Sequence, residues 1–329
     1  MIAVLWMLAP MFLSLEPVQQ PQSDPRLEEQ KSVYEKGDKD AAVLSMRRHC
    51  ESSNAPMPWL QATSYLLNQK NDAARATPFA QKAFQLLPDS PDVVVALGFC
   101  YVFTDKGEEA EKLFREAERK FKDHERVLYG LAAACALNRK LTEAQERYVA
   151  LARAHPDHAL YQFVAGENSM KLHLYDLAEE YFRGANTKGQ RHPDAAWKLA
   201  QVLGYQKKDE AAERLFRNVL EHGLAPSRVP AAFQYAVFLQ ERKRAAEAIP
   251  LLKKVLESNP EHRMAWNYLS RCLLAQGDKE AAREGLKKYR ELQIRAYREE
   301  EEYLLSLIRE QLKDGHPGEP DSGPKRDRP

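Results

Sequence analysis

Two consecutive stretches decide the fold: PDVVVALGFCYVFTDKGEEAEKLFREAERKFKDH at residues 91–124 and ERVLYGLAAACALNRKLTEAQERYVALARAHPDH at residues 125–158. Written one above the other, they place Leu97 over Leu131, Gly98 over Ala132, Ala110 over Ala144 and Phe114 over Tyr148. The alanine carries this register outward. Ala42, Ala76, Ala110, Ala144, Ala178, Ala212, Ala248 and Ala282 recur every 34 residues, with one interval of 36. With each alanine counted as position 20, units begin at Ser23, Met57, Pro91, Glu125, Ala159, Pro193, Val229 and Arg263.

The other positions follow the same period. Position 7 is Leu97, Leu131, Ala165, Leu199, Tyr235 and Leu269 in the last six units. Position 8 is small throughout the last seven: Ser64, Gly98, Ala132, Gly166, Ala200, Ala236 and Ser270. Position 24 is Phe114, Tyr148, Phe182, Phe216, Leu252 or Leu286, and prolines close units at Pro88, Pro156 and Pro260. Two packed helices demand these types: small residues at 8 and 20 let backbones approach, and bulky ones at 4, 7, 11 and 24 fill the space around that contact. Positions 4, 7, 8 and 11 share one helical face. Turn signals such as Gly37-Asp38, Asn71-Asp72 and Gly277-Asp278 separate the two helices of a unit.

Period and pattern resemble the tetratricopeptide repeat, a 34-residue helix-turn-helix. The resemblance covers residues 23–296 and implies an all-α fold: a right-handed superhelical solenoid of antiparallel helix pairs, about seven to eight units long. Three departures carry expectations. Glu29 and Gln30 stand where a core pair belongs, so the first unit should be a polar cap or half formed. The tryptophan frequent at position 4 in the family is met by Trp266 alone, with Trp59 and Trp197 displaced by one residue. The two extra residues within Glu221–Ser227 should lengthen one loop between units. After the last unit, residues 297–313 read as the extension of a C-terminal capping helix, with a dimerising coiled coil as the alternative; residues 314–329 are Pro/Gly-rich and should be disordered.

Ahead of the repeats, residues 1–22 hold an apolar run, Ile2 to Leu15, and a Pro/Gln-rich spacer. The run is short for a spanning helix and suits a signal peptide, so the chain is expected to be exported or periplasmic; an uncleaved membrane anchor or a cytoplasmic apolar extension is the alternative. The spacer is not preceded by a clear small-residue cleavage site, and no Lys or Arg precedes the run.

Composition narrows function by exclusion. Lys plus Arg (49) nearly balance Asp plus Glu (48), so no global field draws the chain to nucleic acid. Cys50, Cys100, Cys135 and Cys272 show neither a C-x-x-C pair nor a ligand-spaced histidine, and read as buried free thiols. No glycine-rich phosphate loop, H-E-x-x-H motif or nucleophile elbow occurs. His155 and His158 flank Pro156 and read as a solvated loop pair, and clusters such as Glu108-Glu109-Glu111 read as solvated helix faces. Catalysis, a cofactor, a metal and a small-molecule substrate are therefore not expected.

Binding is the function left. In the family, positions 2, 5, 9, 12 and 13 of the first helix line a concave groove. Here position 5 supplies Tyr129, Phe163, Trp197 and Phe233, position 9 Tyr65 and Phe99, and position 13 Phe103 and Tyr205. Either these rings meet a ligand, or they pack against the neighbouring repeat. Polar groove candidates are Arg126, Glu167, Lys171, Gln201, Glu241 and Arg271. Family members that grip a C-terminal carboxylate use Lys at position 5 and Asn at position 9; Gln61 and Tyr65, then Val95 and Phe99, stand there instead, so that mode is set aside. The expected function is a non-catalytic scaffold for a peptide segment or partner domain, in cell-envelope assembly, with RNA binding by a related helical array or a non-catalytic subunit of an enzyme complex as alternatives.

Overall fold

A computed structural model describes residues 25–53, 55–187 and 191–314 of the chain. The expectations for residues 1–22 and for the tail beyond Asp314 lie outside the described residues. Among those described there are helices and no strands. They pair as α1 (Pro25–Glu35) with α2 (Lys39–Ser53), α3 (Pro56–Ser64) with α4 (Ala73–Leu86), α5 (Pro91–Phe103) with α6 (Gly107–Lys120), and α7 (Glu125–Leu137) with α8 (Leu141–Ala154). The series continues with α9 (Ala159–Lys171) and α10 (Tyr175–Ala185), then α11 (Ala195–Tyr205), then α12 (Asp209–His222), then α13 (Ala225–Glu241) with α14 (Ala245–Ser258) and α15 (Arg263–Ala275) with α16 (Lys279–Asp314). Two compact bodies divide the chain, one ending at Lys208 and one beginning at Asp209. In the first, each helix from α1 to α10 packs on its successor, and α5 also packs on α3 and α7. In the second, α12 to α16 do the same, and α13 also meets α15.

The periodic alanine is the hinge pin of this packing. Ala42, Ala76, Ala110, Ala144, Ala178, Ala212 and Ala248 are 0% exposed and Ala282 2%. Helix ends obey local chemistry. Pro56 and Pro91 occupy first turns, where a missing N–H costs nothing. Helix α6 opens with Glu108 and Glu109 and closes with Arg119 and Lys120, each complementing the helix dipole. All four cysteines are buried and free.

The turn inside every unit is one recurrent backbone shape. Position 15 has positive φ in all eight: Gly37 (104°), Asn71 (52°), Asp105 (60°), Arg139 (65°), His173 (58°), Lys207 (64°), Lys243 (60°) and Gly277 (87°). A left-handed residue closes the first helix, a geometry that side-chain-bearing residues adopt at a cost and glycine adopts freely. Glycine holds it only in the first and last units. Lys207→Gly and Lys243→Gly should each therefore raise stability, by up to about 1 kcal/mol, in chemical denaturation.

Two sequence expectations are corrected. The first unit is not half formed: both its helices are present, with Leu27 and Tyr34 buried at 1% and 4% exposure and the Tyr34 hydroxyl donating to Asp72 at 2.6 Å. The two extra residues before the seventh unit do not lengthen a loop. They extend α13 to 17 residues, where the first helices α5, α7, α9 and α15 have 13. Residues 297–313 continue the second helix of the last unit, which runs 36 residues unbroken, and Tyr297 on that extension is 74% exposed. The start of α16, where Ala282 and Gly285 are buried, covers α15.

Candidate functional site

The aromatic ladder is core. Tyr65, Phe99, Tyr129, Phe163 and Trp197 are between 1% and 5% exposed. Phe99 lies 5.8 Å from Tyr129 and 5.7 Å from Phe114, and Tyr129 lies 5.7 Å from Tyr161 of the next unit, centroid to centroid. Phe163 packs on Phe182 at 5.5 Å, and the Trp197 indole donates to Asp194 at 2.7 Å. Helical-wheel arithmetic places positions 5 and 9 beside the core arc, but the first helix of the adjoining unit covers that flank. A ring there is thus shared between two units. Phe103 and Phe233 are half-buried, Phe233 against Tyr268 at 5.6 Å.

Of the polar candidates, Glu167 is buried and its carboxylate meets the Lys198 ammonium at 2.8 Å. Gln201 is half-buried and donates to the Tyr205 hydroxyl at 3.1 Å. Lys171, Glu241 and Arg271 are exposed, and Tyr205 is 43% exposed with its ring 5.3 Å from that of Tyr175. Arg126 is half-buried and pairs with Asp92 at 2.8 Å, linking position 2 of two successive units. Sequence reasoning passed over Arg139, which is exposed beside Lys171 and, like it, ion-paired with no described residue. Its place at position 15, in a turn, kept it off any helical wheel. The accessible residues of this region are therefore cationic and phenolic: Arg139 and Lys171 side by side, and Tyr205 on the next first helix.

A second polar feature ties three units to their successors. Glu111, Glu179 and Glu213, all at position 21, accept from Lys140, Lys208 and Arg244 at position 16 of the following unit, at 2.6, 2.7 and 2.7 Å. Burial raises the Glu111 pKa, but hydrogen bonds from Lys140, Asn138 and Arg115 outweigh it and bring it to about 2. The Arg244 hydrogen bond does the same for Glu213, against burial, again to about 2. Because the folded values lie below the ordinary 4.5, this contribution is complete above that pH and is lost only as pH falls towards 2. Glu111, Cys135 and Glu143 converge beside a cavity of about 710 Å³. Their carboxylates are already neutralised by Arg115, Lys140 and Arg147, and burial pushes the thiol up to about 11, so the donor set suits its own cations rather than a metal ion.

The joint after the fourth unit carries a neutral counterpart of these pairs. Position 21 of the fourth unit is Gln145, and position 16 of the fifth is correspondingly Leu174. Gln145 donates to Ser169 at 2.7 Å and accepts from Asn168 at 2.9 Å. Gln145→Glu should place a carboxylate there without a cation and destabilise the fold by about 2 kcal/mol. Adding Leu174→Lys should recover part of that loss in a denaturation double-mutant cycle.

The tetratricopeptide repeat family matches residues 67–127 and 239–293 of the chain. Among solved structures, a tetratricopeptide repeat protein from Parabacteroides merdae is 20% identical with a TM-score of 0.57, over 71% of this chain and 91% of its own. The Cut9-Hcn1 hetero-tetramer of the APC/C gives a TM-score of 0.58 at 15% identity, over 88% of this chain and 56% of the other. Pseudomonas aeruginosa pilF gives 0.51 at 18% identity, over 63% and 93%. At these identities the likeness is one of fold. No curated protein matches the chain. No helix among the described residues is long and apolar enough to cross a membrane.

Proposed function

We propose that this chain, a tetratricopeptide-repeat protein, is a non-catalytic scaffold that holds a carboxylate-bearing peptide segment of a partner protein on the first-helix face of residues 125–208. Proteins of this fold serve in general as protein-interaction scaffolds. The observation that carries the reading is the pair Arg139 and Lys171, two adjacent exposed cations without a described ion-pair partner, with the exposed Tyr205 at the end of the next first helix. Burial and the neighbouring Lys198 and Arg139 charges, partly offset by Glu167, lower the Lys171 pKa, so a ligand carboxylate there would relieve repulsion as well as add a contact. Tyrosine supplies the large amphipathic anchor common among binding hot spots. A photoreactive amino acid at position 205 should cross-link one protein in cells, and the same group at the exposed Leu44 of α2 should not. Equal yields, or RNA in place of protein at 205, would count against this reading.

The same proposal places the scaffold in the cell envelope. Support comes from the apolar run Ile2 to Leu15 and the Pro/Gln spacer after it. Residues 1–30 fused to a reporter active only outside the cytoplasm should give activity, and an inactive reporter removes the envelope assignment.

A further inference from the structure

The last residue of a unit is histidine four times: His124, His158, His192 and His262, out of nine histidines in the chain. Each stands at the joint where one unit's second helix gives way to the next unit's first helix, and His124, His158 and His262 are the N-cap residues of α7, α9 and α15. The rings are not solvated. His192 is 1% exposed and stacks on Phe163 with centroids 3.6 Å apart and planes 9° apart. His158 stacks on Tyr161 at 4.1 Å and 17°, which corrects the expectation of a solvated loop pair. His262 lies 4.6 Å from Phe233.

Two of the rings accept a backbone amide at these joints, His262 as a true helix cap and His192 just ahead of the helix, in a form only the neutral imidazole can provide. His262 Nδ1 accepts from the Ala265 amide at 3.1 Å, and His192 Nδ1 accepts from the Asp194 amide at 3.2 Å. A nitrogen that accepts a backbone N–H carries no proton. The Nδ1 atoms of His124 and His158 are buried without a hydrogen-bond partner. Protonation would turn each acceptor into a donor facing an amide, and would put a positive charge at a helix N-terminus, where the dipole opposes it.

We propose that the histidines closing units form an acid-sensitive seam, and that proton uptake at His192 and His262 breaks their bonds to backbone amides and, together with uptake at the stacked His158, loosens the joints between units. The charges around each ring agree. Burial lowers the His192 pKa to about 4, with Asp194 opposing and Lys198 reinforcing it across from the Phe163 ring of α9. Burial lowers that of His262, which faces Phe233 of α13, with its own helix's backbone opposing. Burial lowers that of His158 too, reinforced by His155 and opposed by Glu125 of α7, next to Tyr161 of α9. Folded values below the unfolded value of about 6.5 mean that stability is complete above that pH and is lost as pH falls towards 4. A ring with a folded value of about 4 loses roughly thirtyfold in the folded-to-unfolded ratio between pH 8 and pH 5. The inter-unit carboxylate pairs titrate below this window, so the seam opens while they hold. The inference is independent of what the first-helix face binds.

Two measurements on the full chain test it. Imidazole proton–carbon NMR should show His192, His262 and His158 titrating below the ordinary imidazole value of about 6.5; titration of all three near that value overturns the seam. Thermal melting should show wild type losing midpoint between pH 7.5 and 4.5, and His262→Asn, whose side chain accepts at the cap without titrating, keeping more of it. Equal losses in the two proteins overturn the proposal. Should the variant fail to fold, amide exchange in wild type decides. Protection at Asp194 and Ala265, corrected for intrinsic rates, should fall about tenfold or more from pH 7 to 5, while Arg75 and Ala281, capped by Asp72 and Asp278, hold. Parallel loss at all four amides, or none, overturns it.

Discussion

Truncating Phe163 to alanine should lower stability by about 3–5 kcal/mol and Trp197→Ala by a similar amount, with melting temperature and denaturation midpoint falling together. Both side chains are at most 5% exposed, and removing either leaves a void in the packed core. Phe163 is held between Phe182 at 5.5 Å and His192 at 3.6 Å, so its loss also frees the histidine at the joint. Neighbouring units cannot collapse into the gap, because the 0%-exposed alanines Ala165 and Ala178 already fix the backbone approach there. Had these rings been a ligand surface, truncation would weaken binding and leave melting nearly unchanged. A melting temperature within a degree or two of wild type for either variant would return them to the surface.

The second large effect centres on Phe114, which is 0% exposed. A Cβ on Gly98 would lie 2.3 Å from its ring, and one on Gly130 would lie 2.2 Å from it. The ring is thus seated between two glycines of α5 and α7, in space no side chain could share. Phe114→Ala should cost about 3–5 kcal/mol. Gly98→Ala should cost about 1–3 kcal/mol, since the ring it strikes is itself enclosed by Phe99 and cannot swing away. The two penalties should not add: once Phe114 is alanine, the methyl at 98 enters the vacated volume and its cost vanishes. Simple additivity in that cycle would mean that the glycine serves the backbone and not the ring.

Much of this was legible in the sequence because helix pairing constrains small residues more tightly than large ones. The alanine at position 20 and the small residue at position 8 fix where two backbones touch, so they announced period, register and unit boundaries. The fate of the position 5 rings was not legible. Their face depends on how far one unit is rotated against the next, which no wheel drawn on a single helix contains. Trp197 and Tyr205 are both aromatic residues on the same first helix, yet one is buried and the other 43% exposed. The pairing of Glu at position 21 with Lys or Arg at position 16 of the next unit was present in the sequence at three joints, but it joins residues 29 to 31 apart and shows only once units are compared in adjacent pairs. Arg139 was missed because it sits in a turn. The extended α13 ran against expectation because Ala225 and Pro226 begin a helix as readily as they prolong a loop.

The account's central claim is that binding and folding are carried by different residues of the same first helices. Partner affinity and melting temperature, measured side by side on Lys171→Glu/Tyr205→Ala and on Phe163→Ala, test it most directly, using the protein cross-linked through position 205 as the partner. The surface variant should lose tenfold or more in affinity and melt within about 2 °C of wild type, while the core variant melts far lower and, where still folded, binds nearly as well. Undiminished affinity in the surface variant, with specific loss of binding and an unchanged melt in Phe163→Ala, would contradict it.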